Sequence, residues 1–216
     1  MAIYRTIKSE ATGLYRDRGS KFVAYAIPAA SIEECQTHIA RIKDQHPKAR
    51  HWCYAYRIGP NNEQYREFDD GEPSGTAGKP IAQQIESFNL TNIIVVVVRY
   101  FGGKLLGTSG LITAYKSTAY SALSNAEVVE KEEVTNCKFR FHYAIMGKLL
   151  AILKKSDDIE VLSKDLSATP SVIISIPKEY FETRLENLLM EILGVHEVEL
   201  ESPLTFADLE VEILPE

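Results

Sequence analysis

The sequence of 216 residues predicts an α+β protein in two parts. Charge divides the chain: residues 1–130 hold 15 Lys and Arg against 13 Asp and Glu, and 131–216 hold 9 against 17, so net charges of +2 and −8 give the parts different surfaces. Hydrophobic patterning over 137–201 runs strand, helix, strand, strand, helix, strand, which is the split βαβ or ferredoxin-like plan. In the first part, the unbroken apolar run IIVVVV (Ile93 to Val98) lies between two segments of helical period, so it needs cover on both faces or a central place in a sheet. The expected division is an N-terminal domain at 1–130, a C-terminal domain at 131–205 and a tail at 206–216.

The elements follow in order. IYRTI (3–7) and KFVAYAI (21–27) read as strands joined by the hairpin connection GLYRDRGS. Ser31, Glu33 and Glu34 open a capping box, Ile32, Cys35, Ile39 and Ile42 keep near-helical spacing, and Pro47 stops the helix. HWCYAYRI (51–58) alternates as a strand, and the polar residues 59–78 are expected to form one long loop. A second helix begins near Lys79 and Pro80 and buries Ile81, Ile85 and Phe88, because proline suits the first helical position. After the apolar strand, a helix over 111–124 places Leu111, Ala114, Tyr115, Thr118, Ala119, Ala122 and Leu123 on one stripe, with Ser109 as its expected N-cap.

The acidic segment VEKEEVTN (129–136) marks the boundary. Strands are expected at 137–143, 159–166, 171–177 and 195–201, with helices at 144–155 and at 179–193, the second closed by Gly194. Phe181, Leu185, Leu188 and Ile192 form the buried face of that second helix. The tail from Pro203 still carries Leu204, Phe206, Leu209, Val211 and Ile213, enough to add a strand or dock on a partner.

Composition excludes several classes. The longest apolar run is far shorter than the roughly 20 residues of a membrane-spanning helix, and MAIYRTIKSE lacks the apolar segment of a signal peptide. Cys35, Cys53 and Cys137 are widely spaced and suggest neither a disulfide framework nor a zinc knuckle, so a reducing, cytoplasmic setting is expected. A net charge of −6 argues against non-specific clamping of nucleic acid by the chain as a whole.

Two stretches concentrate glycine and polar residues. Gly75-Thr76-Ala77-Gly78 and Gly107-Thr108-Ser109-Gly110 share the form G-T-small-G, and each precedes an expected helix. Helix N-termini present unpaired N–H groups and partial positive charge, and glycine lets a ligand approach that backbone. Arg99, Gly102, Gly103, Lys104, Gly107, Thr108 and Ser109, with Gly75, Thr76, Gly78 and Lys79, are therefore candidates for binding an anion or nucleic acid. Tight turns and Ser or Thr capping account for the same pattern without a ligand. Asp69, Asp70 and Glu72 are the densest carboxylates of the first part and suit a hard cation, though Asp-Gly is also ordinary turn chemistry. No G-x-x-x-x-G-K-[ST] or G-x-G-x-x-G pattern is present, and no Ser/His/Asp or Cys/His set can be assembled by spacing. His51 would need a partner to act as a base. Tyr54, Tyr56, Tyr65, Tyr100 and Phe101 lie near basic residues and offer rings for stacking bases or for core packing.

FDDGEPSGTAGKPI (68–81) and VVVVRYFGGKLLGTSGLITAYKSTA (95–119) closely resemble the paired signatures of the IMPACT family in its bacterial, YigZ-type form, and 19–31 and 46–59 resemble its flanking segments. The resemblance implies an N-terminal domain like the second domain of a small-subunit ribosomal protein and a C-terminal domain like the last domain of elongation factor G. Eukaryotic relatives act in translational control by binding the partner that activates the kinase sensing uncharged transfer RNA. They do so through a domain ahead of the IMPACT domain, for which this sequence leaves no room, so that partnership is not expected here. The resemblance transfers no catalytic residue and implies no cofactor or metal. Two expectations remain: a non-catalytic, translation-associated protein that binds RNA, the ribosome or a translation factor through a groove shared by the two glycine segments, or an enzyme of a small phosphorylated or nucleotide ligand.

Overall fold

The computed structural model describes residues 3–60, 63–200 and 203–214. It divides between Lys131 and Glu132 into two units. In the first, β1 (Ile3–Ile7) pairs with β7 (Val128–Glu132), and a second sheet has the order β2-β3-β6-β4-β5. Its strands are β2 (Ala11–Asp17), β3 (Ser20–Pro28), β4 (His51–Ile58), β5 (Gln64–Phe68) and β6 (Ile93–Tyr100). The apolar run is central, between β3 and β4, and every residue from Ile93 to Val98 is fully buried. Val95 and Val97 pack beneath α2 (Gly78–Ser87) and α3 (Gly107–Ser124), whereas Ile94, Val96 and Val98 belong to the layer that includes Cys35 and Ile42 of α1 (Ile32–Gln45). Cover on both faces is why this strand has no polar alternation.

Helix starts follow local chemistry unevenly. Ser31 caps α1 by accepting from the Glu34 amide, while the Glu34 carboxylate accepts from Ala30 N–H, one residue earlier than a strict capping box. The buried stripe of α3 is the expected one, but the helix begins two residues before Ser109, with Leu106 at the cap position and no side chain capping it. Two strands also lie where connections were expected. Residues 11–17 form β2, turning through Arg18 and Gly19 at φ 44° and 83°, so the partner of β3 is β2 rather than β1. Residues 64–68 form β5, an exposed edge strand whose polar composition hid it.

The second unit holds β8 (Val134–Phe141), α4 (Tyr143–Lys155), β9 (Glu160–Asp165), β10 (Ser171–Pro177), α5 (Phe181–Leu193), β11 (Leu204–Phe206) and β12 (Leu209–Ile213). Its sheet, β11-β12-β8-β10-β9, is antiparallel throughout. Without β11 the order is fourth, first, third, second, the arrangement of the split βαβ plan. The fourth strand is not 195–201: residues 195–200 form no strand, and 201 lies outside the described residues. Leu209–Ile213 takes that place beside β8 because Leu209 and Val211 alternate into the core while Glu210 and Glu212 meet Arg140 at 3.5 and 2.7 Å. Residues 206–213 are thus part of this unit's sheet rather than a separate tail. Gly194 ends α5 with φ 73°, as its position predicts.

Candidate functional site

Topology brings the two glycine segments to one end of the first unit. Strand β4 is antiparallel to both β5 and β6, so β5 and β6 run in the same direction, and each is followed by a loop and a helix returning over the same sheet face. Both α2 and α3 therefore begin at the end where β5 and β6 finish. The loop between β5 and α2 contributes Asp69, Asp70 and Glu72, and each carboxylate is engaged within the protein.

Asp69 closes the start of α2. One of its oxygens accepts from Ala77 and Gly78 N–H, both at 2.9 Å, and the other from Gly75 N–H at 2.8 Å. The anion that this helix N-terminus attracts is thus a side chain of the same loop. Thr76 is buried with its hydroxyl on the Pro73 carbonyl, so of the candidates in and beside the Gly75–Gly78 segment only Lys79 is well exposed. Replacing Asp69 with alanine leaves three amides without an acceptor and should cost about 2 kcal/mol, seen as a lower urea midpoint at unchanged slope. An unchanged midpoint would mean that water serves those amides equally well.

Asp70 ties the loop to β4 by accepting from Trp52 N–H at 2.8 Å. Glu72 is buried, and its Oε1 accepts from Arg99 Nη1 at 2.6 Å and from the Tyr115 hydroxyl at 2.8 Å. One carboxylate thereby links the loop, the end of β6 and the third turn of α3. Arg99 is buried as well, with its guanidinium 5.5 Å from the ring centres of Phe22 and Phe101, so it is not an exposed cation as its sequence context suggests. Among the described residues, its Nε has no hydrogen-bond partner.

Three residues that spacing did not place in a site join this network. The Cys53 thiol lies 2.9 Å from the Asp69 carbonyl and 3.3 Å from the Tyr115 hydroxyl. Burial pushes both the Cys53 and the Tyr115 pKa far up, so both groups stay protonated and act as donors. His51 Nδ1 lies 2.9 Å from the Asp70 carbonyl, which can only accept, so in the neutral ring the proton sits on Nδ1. The lone pair on Nε2 then faces Glu72 Oε1 at 3.9 Å. Because His51 and Tyr115 are 64 positions apart, with strands, loops and α2 between them, no short motif could reveal the cluster. Among the described residues, no group of three or more His, Cys, Asp or Glu could hold a metal ion.

The start of α3 contrasts with that of α2. Gly102, Gly103, Lys104, Gly107, Thr108 and Ser109 are all exposed, as is Leu105, and the first turn of α3 has no acidic residue and no side-chain cap. Gly102 N–H donates to the Ser20 hydroxyl, which fixes the loop against the turn between β2 and β3. Gly103 and Gly107 have φ 82° and 71°, a conformation that strongly favours glycine. The rings divide differently: Tyr54 and Tyr56 are buried and nearly parallel at 6.4 Å, whereas Tyr65 is exposed. No helix among the described residues is long and apolar enough to cross a membrane.

Comparison with known proteins adds relatives. Residues 18–123 match the model of the Impact N-terminal domain. An IMPACT family member of Haemophilus influenzae is 36% identical over 184 residues, 84% of this chain and 89% of that protein. The IMPACT family member YigZ of Escherichia coli is 33% identical over 160 residues, 73% of this chain and 78% of that protein. A crystal structure described as that of a hypothetical protein superposes with a TM-score of 0.71 at 27% identity, covering 93% of this chain and all of the other.

Proposed function

Because the chain belongs to the IMPACT family as a YigZ-type member, we propose that it is a non-catalytic regulatory protein of translation whose exposed glycine loop accepts an anionic partner. Family membership supports the regulatory role. The partner is RNA, the ribosome or a translation factor. One observation carries the choice of binding over catalysis: Asp69, Asp70 and Glu72, the carboxylates an enzyme would need beside the glycine loop, are each committed to internal hydrogen bonds. The groove expected between the two glycine segments narrows to its α3 side, where the amides and Lys104 are uncovered.

Sedimentation with ribosomal subunits and a thermal-shift screen against RNA and phosphate compounds test this reading. Lys104→Ala should weaken ribosome or RNA binding about threefold to tenfold and leave the melting temperature unchanged, since the side chain is exposed. Binding by the variant as tight as by the native protein would remove the glycine loop from the interface. The alternative is an enzyme acting on a small phosphorylated or nucleotide ligand, and the partly exposed imidazole of His51, with Nε2 3.9 Å from Glu72 Oε1, is the observation that favours it. Turnover of a stabilising phosphate compound that is abolished by His51→Gln would establish that alternative.

A further inference from the structure

The other face of the same sheet, the one that carries α1, holds a second charged surface. Strand register sets a row across its end. Arg16 of β2 is opposite Lys21 of β3, and Lys21 is opposite Tyr100 of β6. Arg50, the residue before β4, donates its amide to the Arg99 carbonyl next to Tyr100. Alternation puts all four on the α1 face: Lys21 is in step with Tyr25, Tyr100 with Val98, and Arg50 with Trp52. Asp17, next to Arg16, belongs by the same rule to the opposite face.

The end of α1 adds to this row. His46 Nε2 lies 2.6 Å from the Tyr25 hydroxyl and its Nδ1 2.6 Å from the Tyr100 hydroxyl, so the imidazole bridges the two hydroxyls, with its plane 56° and 66° from the two rings. Burial, and then the charge of Lys21, hold His46 below its usual pKa, so the bridge is neutral at pH 7. Lys21 Nζ stands 5.9 Å over the Tyr100 ring, and Lys43 Nζ 5.7 Å over the Trp52 ring. Lys48 is exposed on the turn between α1 and β4. Asp44 is the sole carboxylate in the last turn of α1, and Glu10 is paired with Arg41. Five exposed cations thus surround half-buried, pre-oriented rings.

We propose that this surface, formed by Arg16, Lys21, Lys43, Lys48 and Arg50 with Tyr100 and Trp52, binds single-stranded nucleic acid. The cations provide a phosphate-tracking patch, and each ring is capped by a lysine that a stacking base displaces toward its own phosphate. An acidic protein segment would satisfy the charges but make no use of the rings. The surface lies on the opposite sheet face from the glycine loop and uses none of its residues, so it extends the reading above instead of restating it.

Trp52 is the chain's single tryptophan, so its fluorescence reports this surface alone. The probes are dodecamers of labelled oligouridylate RNA and oligothymidylate DNA, titrated by anisotropy from 50 to 200 mM KCl, with polyglutamate as the peptide control. For five neutralised phosphates the expected slope of log K against log salt is about −3.5, and the Lys21→Gln/Arg50→Gln variant should weaken binding at least tenfold and reduce the slope by about 1.4. Saturating RNA should change Trp52 emission. Equal RNA and DNA affinities support the site without sugar discrimination. Undiminished binding by the double variant overturns the proposal, as does polyglutamate binding equally tightly with no change in emission. If Lys104→Ala abolishes binding while the double variant retains it, this surface is discarded and the glycine loop stands; the reverse pattern discards the loop and keeps this surface. No binding of either nucleic acid at 50 mM salt refutes the proposal.

Discussion

Glu72→Ala should lower the unfolding free energy of the first unit by about 3–5 kcal/mol, because removing one partner leaves the Arg99 guanidinium charged in a buried site. The Tyr115 hydroxyl loses its acceptor in the same step, and burial keeps that hydroxyl protonated and in need of one. Urea unfolding measures the loss. The double variant Glu72→Leu/Arg99→Met should recover about half of it or more, since apolar side chains of similar volume replace buried ion pairs without large penalty. A loss below about 1 kcal/mol for Glu72→Ala would show that the pair does not join the loop, β6 and α3 as its distances imply. Under the proposed function, the same variant should also weaken partner binding, because Arg99 stands three positions before Gly102 of the glycine loop.

Gly102→Ala is expected to cost about 3 kcal/mol, on the high side for a single methyl group. A Cβ at Gly102 would stand 1.9 Å from the Gly19 carbonyl carbon and 2.2 Å from the Ser20 nitrogen. Both are backbone atoms of the tight turn between β2 and β3, and neither can swing aside as a side chain would. Gly103→Ala is the control: its Cβ meets nothing within 4 Å, and its cost of about 1–2 kcal/mol comes from φ 82° alone. Equal costs for the two would mean that the loop does not press on the turn. A larger cost at Gly102 identifies this contact as what sets the height of the glycine loop above the sheet.

The elements legible in the sequence were those with a strong period of their own. The stripe of α3 from Leu111 to Leu123, the Ser31 cap, the two-faced burial of β6 and the αL end of α5 at Gly194 each depend on residues close together in the chain. Strands β2 and β5 were hidden because an edge strand needs little apolar alternation, and GLYRDRGS and NEQYREF look like turns when read alone. The exchange of 195–201 for 209–213 as the fourth strand was hidden for another reason. Both segments alternate, and only the cross-strand pairing of Arg140 with Glu210 and Glu212 separates them.

Sequence alone determined the α+β class, the charge difference between the parts, the family resemblance and the positions of the two glycine segments at helix starts. Only the tertiary structure decided which of those residues are free. Asp69 occupies one helix start and Glu72 holds Arg99 under the other, while His51, Cys53 and Tyr115 join them from strands and helices distant in the chain. The physical reason is that a buried polar group must find its partner, and which partner it finds is settled by strand direction and register across the sheet rather than by neighbours in sequence.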